Sequence, residues 1–213
     1  MAEVEGESLI GLLLARLSRS KRITDVIVAM SEHRDDDVLQ SSVRELGVRT
    51  IRGPEHDVLA RFLAAIDGHE GAVIRLTADC PLLDAGVVDE VIELFHATPG
   101  CAYASNVVPR TYPDGLDVEV VAAQALRAAA AEASDPVDRE HVTSFVRRDP
   151  LRFPQAALVH MPDLGDVRWT VDRPDDLAFV RETVRRLGRR RHEASLDEIL
   201  AVADERREPP LVS

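Results

Sequence analysis

Two stretches of the chain place an aspartate directly beyond an apolar run. LTADCPLLD (Leu76 to Asp84) carries Asp79, and VRWTVDRPDDL (Val167 to Leu177) carries Asp172; each is followed within two residues by proline and then by a helical pattern. Two strand-end carboxylates could meet at one edge of a parallel sheet. There they could hold Mg²⁺, which takes few carboxylates and keeps other positions for water and substrate phosphate oxygens. Each aspartate also has a plainer use. Asp79 can form a turn, and Asp172 can cap the helix that starts at Pro174, as Asp84 can cap the helix after it. Spacing alone does not choose between these readings.

SNVVPRTYPDGLDVEV (Ser105 to Val120) gathers Asn106, Arg110, Tyr112, Asp114 and Asp117 between two strand patterns. Its Pro113-Asp114-Gly115 step is an ordinary turn sequence. The remaining donors and acceptors are what a sugar or carboxylate site would need. DREHVTSFVRRD (Asp138 to Asp149) adds Glu140 and His141, expected at a helix start. Arg147 could face an anion, but it and Arg148 read more simply as a solvated helix end. The arginines between Arg181 and Arg191 read as a solvated helix face.

These residues need elements to hold them. Leu9 to Leu17, Leu39 to Leu46, Val58 to Ile66, Val87 to Phe95, Ala122 to Ala133 and the stretch from Pro174 to Leu187 carry helical spacing or composition. Gly47 and Gly68 stand as C-terminal stops, and Ser195-Leu196-Asp197-Glu198 is a capping box for a last helix. Between them lie strand patterns at Ile23 to Met30, Val48 to Gly53, Ala72 to Thr77, Cys101 to Ser105, Leu116 to Val121, Phe153 to His160 and Asp166 to Val171. Strands alternating with helices predict an α/β fold with a mainly parallel sheet covered on both faces. Ligands of such sheets sit beyond the carboxyl ends of the strands.

Composition narrows the classes. The 213 residues carry 26 basic and 38 acidic side chains, a net charge of −12, which argues against nucleic acid or an anionic membrane as partner. No apolar run reaches the roughly 20 residues of a membrane span. The opening MAEVEGE is acidic where a secretory leader is basic. Two cysteines, Cys80 and Cys101, make no disulfide framework or thiolate zinc site. A cytoplasmic protein is expected, with residues 1–205 as one domain, residues 101–170 as its less regular half, and a frayed tail from 206.

LTADCPLLD, SNVVPRTYPDGLDVEV, DREHVTSFVRRD and VRWTVDRPDDLAFV, in that order, resemble the spore-coat polysaccharide biosynthesis protein F branch of the cytidylyltransferases that make CMP-activated acidic sugars. RGPEHDVLARF (Arg52 to Phe62) is similar to a further family segment, and the resemblance runs from about Leu9 to about Leu187. It implies a three-layer αβα nucleotide-diphospho-sugar transferase fold of the glycosyltransferase-A-like kind. It implies CTP and a sugar as substrates, Mg²⁺ held by Asp79 and Asp172, and a homodimer among the assemblies open to the chain. By the same resemblance Asp57 and Arg61 are nucleotide-side residues. Asn106, Arg110, Tyr112, Asp114, Asp117 and His141 are sugar-side residues.

The chain departs from the pattern at its start. Family members begin with a strand and a basic glycine loop of the type RxGSxRLPGK around the triphosphate; this chain opens at VEGESLI, with Glu7 and Ser8 where the family has lysine and proline. The expectations that follow are a start set too far downstream, little turnover by the chain as it stands, and a sheet that either carries a gap or closes across it. Two other readings stay open: a non-catalytic binding or assembly partner, and a glycosyltransferase of the same fold. The ADCP motif at the strand end, in place of DxD, disfavours the last.

Overall fold

A computed structural model describes residues 2–204. The chain starts with a tight hairpin, β1 (Glu3–Val4) and β2 (Glu7–Ser8), turning at Glu5 and Gly6, both at positive φ (48° and 82°). That is the conformation a two-residue hairpin turn demands. Ser8 then caps α1 (Leu9–Leu17), accepting from the Gly11 amide at 3.1 Å. Glu7 accepts from Arg191 Nε at 2.8 Å and lies 2.9 Å from His192 Nε2. The two positions that depart from the family pattern are thus in structural use.

Next come β3 (Ile27–Ser31), α2 (Asp37–Glu45) and β4 (Arg49–Gly53), with β3 and β4 parallel. α3 (Val58–Ala65), β5 (Ala72–Arg75), α4 (Ala85–Ala97) and β6 (Tyr103–Ser105) follow close to the periodicities read from the sequence. Asp84 caps α4, accepting from Gly86 N at 2.7 Å, and Gly47 and Gly68 take φ values of 76° and 72° after their helices. β7 (Glu119–Ala122) leads into α5 (Ala123–Glu132), then α6 (Pro136–Glu140), α7 (Ser144–Arg147) and β8 (Gln155–Ala157). α8 (Pro174–Leu187) and α9 (Leu196–Asp204) close the described chain.

The large sheet runs β5-β7-β6-β8, with β7 antiparallel to both neighbours and β8 parallel to β6. In the large sheet β7 alone inserts against the direction of the strands beside it, so the mainly parallel sheet expected from the sequence is mixed at that strand. The segment Asp166 to Val171, expected as a strand, forms only a bridge between Asp114 and Arg168. β3 and β4 form a separate pair, and among the described residues the far edges of β3 and β5 have no strand partner. The segment expected to fray lies outside the described residues.

Alternation along the sheet builds three layers. Ala104 and Val120 pack with α1, α4, α8 and α9 into one apolar layer; Val73, Tyr103 and Val121 pack with α3, α5 and α7 into the other. One cation is sealed in the first layer. Arg16 is buried and donates to the carbonyls of Leu83, Arg191 and Ala194 at 2.7, 2.5 and 2.7 Å. Burial pulls its pKa down to about 10, which still leaves it charged at neutral pH.

Candidate active site

The carboxyl ends of β5 and β6 and the start of β7 lie together, because β7 runs the other way. Arg75 and Glu119 are direct cross-strand partners there. On β5, Val73 and Arg75 share a face; on β7, Glu119 and Val121 do. Each row is apolar inside and becomes polar at its last position. Glu119 is buried and takes three donors: Arg75 Nη1 at 2.5 Å, Tyr103 Oη at 2.6 Å and Thr143 Oγ1 at 2.7 Å. Burial, then the Glu119 charge, pushes the Tyr103 phenol well above its ordinary value, so it stays a donor. Arg75, Glu119, Thr143 and Arg147, with Val107, Arg110, Asp117 and His141, line a cavity of about 270 Å³.

The loop after β6 forms the opposite wall. Asn106 clamps it: the amide donates to Leu116 O at 2.7 Å and accepts from Val118 N at 2.8 Å. Arg110 holds Asp117 in a bidentate pair, at 2.6 and 2.7 Å, and comes within 3.4 Å of Asp114. The hydrogen bonds it donates to Asp117 hold the Arg110 guanidinium above its usual pKa. Two glycines let this loop lie on the segment after β8. Gly115 has φ 114°, and a Cβ there would stand 2.8 Å from the Trp169 carbonyl carbon. At Gly165 a Cβ would stand 2.6 Å from Arg110 O. Backbone bonds complete the contact, Asp114 N to Val167 O at 2.8 Å and Trp169 N to Asp114 O at 2.6 Å.

Asp79 and Asp172 come from adjoining segments: Val171 N donates to Asp79 O at 2.9 Å. Asp172 is exposed and pairs with Arg168, which also reaches Asp176 at 2.8 Å and Asp114 at 3.8 Å. Asp79 takes a weak contact from the Cys80 thiol at 3.6 Å. Asp79 and Asp114 feel each other. Burial raises the Asp114 carboxyl, Arg110 pulls it down, and the charges of Asp117 and Asp79 add to the rise, so it sits above the ordinary carboxylate value. The same neighbourhood raises the Cys80 thiol, through burial first and then through Asp79. No cluster of three or more His, Cys, Asp or Glu side chains is arranged to hold a metal among the described residues.

The sequence-derived candidates therefore fall into groups. Arg110, Asp114 and Asp117 lie together, within electrostatic reach of Asp79, and His141 lines the cavity with Arg110 and Asp117. Asn106 and Tyr112 do not offer open groups to it. Asn106 is fully engaged with the backbone, and Tyr112 is buried, edge-on to His160 at 5.1 Å. His141 follows α6 instead of starting a helix, which corrects the sequence expectation. Asp57 caps α3 through Ala60 N at 2.9 Å and binds Arg139 at 2.5 and 2.8 Å. Arg61 lays its stem against Gly53, and its Nε is buried with no hydrogen-bond partner among the described residues. The sequence reading missed Arg75, Glu119 and Thr143, and it set Arg147 aside as solvated. A polar residue ending an apolar period-two row was the available signal for Arg75 and Glu119.

This arrangement has relatives. The chain is 35% identical over 144 residues to uncharacterized protein MJ1063 of Methanocaldococcus jannaschii, covering 67% of this chain and 57% of that protein, little more than half its length. It is 28% identical over 191 residues to the spore coat polysaccharide biosynthesis protein SpsF of Bacillus subtilis, covering 85% of this chain and 78% of that one. A solved cytidylyltransferase from Leptospira borgpetersenii superposes with a TM-score of 0.90 at 25% identity, over 96% of this chain and 86% of the other. The family model for cytidylyltransferases matches residues 1–165. With that match spanning most of its length, the chain belongs to the cytidylyltransferase family.

Proposed function

We propose that this protein transfers the cytidylyl group of CTP to a hydroxyl of a sugar acid, for surface polysaccharide or glycan synthesis. In this reaction the sugar oxygen bonds to the α-phosphorus, the bond to the bridging oxygen breaks, and pyrophosphate leaves while the hydroxyl proton passes to solvent. The observation that carries the reading is the polar cavity at the ends of β5 and β6, where Arg75, Arg110 and Arg147 face two carboxylates, Asp117 and Glu119. That is one positive charge in excess, suited to an acceptor bearing a carboxylate. Asn106 and the two close-packed glycines keep the Arg110 loop in place, which favours a fixed approach of the acceptor.

Asp79 and Asp172 supply hard carboxylate oxygens from adjoining segments, a donor set that suits Mg²⁺ when water and phosphate fill the other positions. Mg²⁺ bound there would neutralise phosphate charge as pyrophosphate departs. Arg168 pairs with Asp172 and would release it to the metal. No helix of the described residues is long and apolar enough to cross a membrane.

The test is pyrophosphate release from CTP with a panel of sugar acids and their neutral counterparts. It is run on the 213-residue chain and on one extended upstream in frame. Release that needs the sugar acid and drops by about 10²-fold or more in Asp79→Asn is expected. If neither version releases pyrophosphate with any of the sugars, the proposal fails.

A further inference from the structure

Glu119 stands at the end of a face whose interior positions, Val73, Tyr103 and Val121, are apolar. Its side chain is 5% exposed. A buried carboxylate is stable only with charge and hydrogen-bond partners. Glu119 has them from three directions: Arg75 from β5, Tyr103 from β6 and Thr143 from the turn before α7. A fourth group, Arg147 Nη1, stands at 3.9 Å, an ion pair beyond hydrogen-bond length. Thr143 reaches the carboxylate because Val142 adopts φ 55° while fully buried. That backbone is strained for a β-branched residue and persists only where packing holds it.

The charge count at this point is uneven. One carboxylate serves two guanidinium groups, and Asp117 already matches Arg110. Arg75 gives Glu119 one of its five N–H donors, and Arg147 gives none at hydrogen-bond distance. Both line the cavity. Their remaining donors are therefore open to a ligand oxygen, and the carboxylate behind them fixes where they stand.

We propose that Glu119 is a positioning residue, holding Arg75 and Arg147 as a seat for the anionic group of the acceptor. This rests on the reading of the cavity as the acceptor site. A glutamine at position 119 keeps the volume and can still accept from Tyr103 and Thr143. It removes the charge that offsets the two guanidinium groups, which then repel and lose their common anchor.

The experiment needs no turnover. The 213-residue chain and its Glu119→Gln variant are treated with phenylglyoxal, and modification of each arginine is followed by peptide mass spectrometry, with the exposed Arg34 as reference. Glucuronate serves as the anionic probe and glucose as its neutral match. In the parent chain glucuronate slows modification of Arg75 and Arg147, and glucose does not. In Glu119→Gln, with melting temperature little changed, Arg75 reacts about tenfold faster relative to Arg34, as expected when a charge-assisted bond is removed, and Arg147, which loses its ion pair, reacts faster as well. Glucuronate protection is lost.

Arg147→Ala, on the cavity wall, gives an independent arm in case Glu119→Gln does not fold: it abolishes glucuronate protection of Arg75. Where turnover is measurable, Glu119→Gln raises KM for the sugar acid and leaves KM for CTP unchanged. Unaltered arginine reactivity in folded Glu119→Gln overturns the proposal. So does equal protection by glucose, protection of Arg75 persisting in Arg147→Ala, or a joint rise of both KM values. Failure of the cytidylyl transfer reading shows separately, as absent pyrophosphate release with the arginine results intact.

Discussion

Replacing Gly115 with alanine tests whether the loop carrying Arg110, Asp114 and Asp117 depends on backbone packing. The added Cβ would lie 2.8 Å from the Trp169 carbonyl carbon, 2.9 Å from Thr170 N and 3.1 Å from Trp169 Cβ. Carbon contacts are favourable only from about 3.5 Å, so the two segments must part by roughly 0.7 Å. The first two atoms are backbone and have no rotamer to change. The φ of 114° adds about 1–3 kcal/mol of strain for any residue with a Cβ. Parting weakens the bonds joining Asp114 to Val167 and Trp169, at about 0.5–1.5 kcal/mol each. The sum is about 2–6 kcal/mol, or roughly 10 °C in melting temperature for a chain of this size. Because Asp114 and Asp117 move with the turn, kcat/KM for the sugar falls by about 10²-fold. Calorimetric melting and initial rates decide it. A variant melting within about 2 °C of the parent with parental activity would refute the reasoning.

Arg16→Met leaves three carbonyls, two of them buried, without their donor and lowers stability by about 3–5 kcal/mol in urea denaturation; a loss under about 1 kcal/mol would show that water takes over the role. Asp57→Asn removes charge from the α3 cap and from its pair with Arg139, at about 1–3 kcal/mol near neutral pH. Burial alone would raise the Asp57 carboxyl, but the Arg139 and Ala60 hydrogen bonds and the Arg139 charge outweigh it and set it below its ordinary value. An acid depressed in the folded state contributes above its unfolded pKa of about 3.9, and that contribution is lost as pH falls through the folded value. The gap between parent and Asp57→Asn therefore narrows below about pH 4, and a gap unchanged down to about pH 2 contradicts the assignment.

The first half of the chain was legible because its helices carry apolar stripes and its strands are short apolar runs. Asp84, Gly47 and Gly68 act at the helix ends as their residue types imply. Strand order was not legible. β7 enters between β5 and β6 through register pairs such as Val73 with Val121, and no local propensity encodes a partner. The segment Asp166 to Val171 has strand composition, yet the turn at Gly115 is pressed onto it and leaves a single bridge. Arg147 reads as solvated in isolation. Its meaning depends on Glu119, far away in sequence and brought close by the fold. Asp79 and Asp172 were visible because each ends an apolar run. The burial of Tyr112 was not legible, because a phenol in a polar loop gives no sign of which face it turns to.

The clamp around Arg16 also sets an order of events in folding. Its acceptors at Arg191 and Ala194 are 175 and 178 residues away in sequence, and Glu7 meets Arg191 across 184. Contacts of such separation close late, because loop entropy must be overcome before they form. During synthesis the helix bearing Arg16 emerges well before the acceptors 175 and 178 residues further on, and meets them only once they too have left the ribosome. Until then it has a buried-type cation, an apolar face of Leu12, Leu13 and Leu17, and no C-terminal layer to cover them. A nascent chain stopped near residue 187 would hold the sheet and most helices but remain protease-sensitive at α1, and adding the next ten residues would close it.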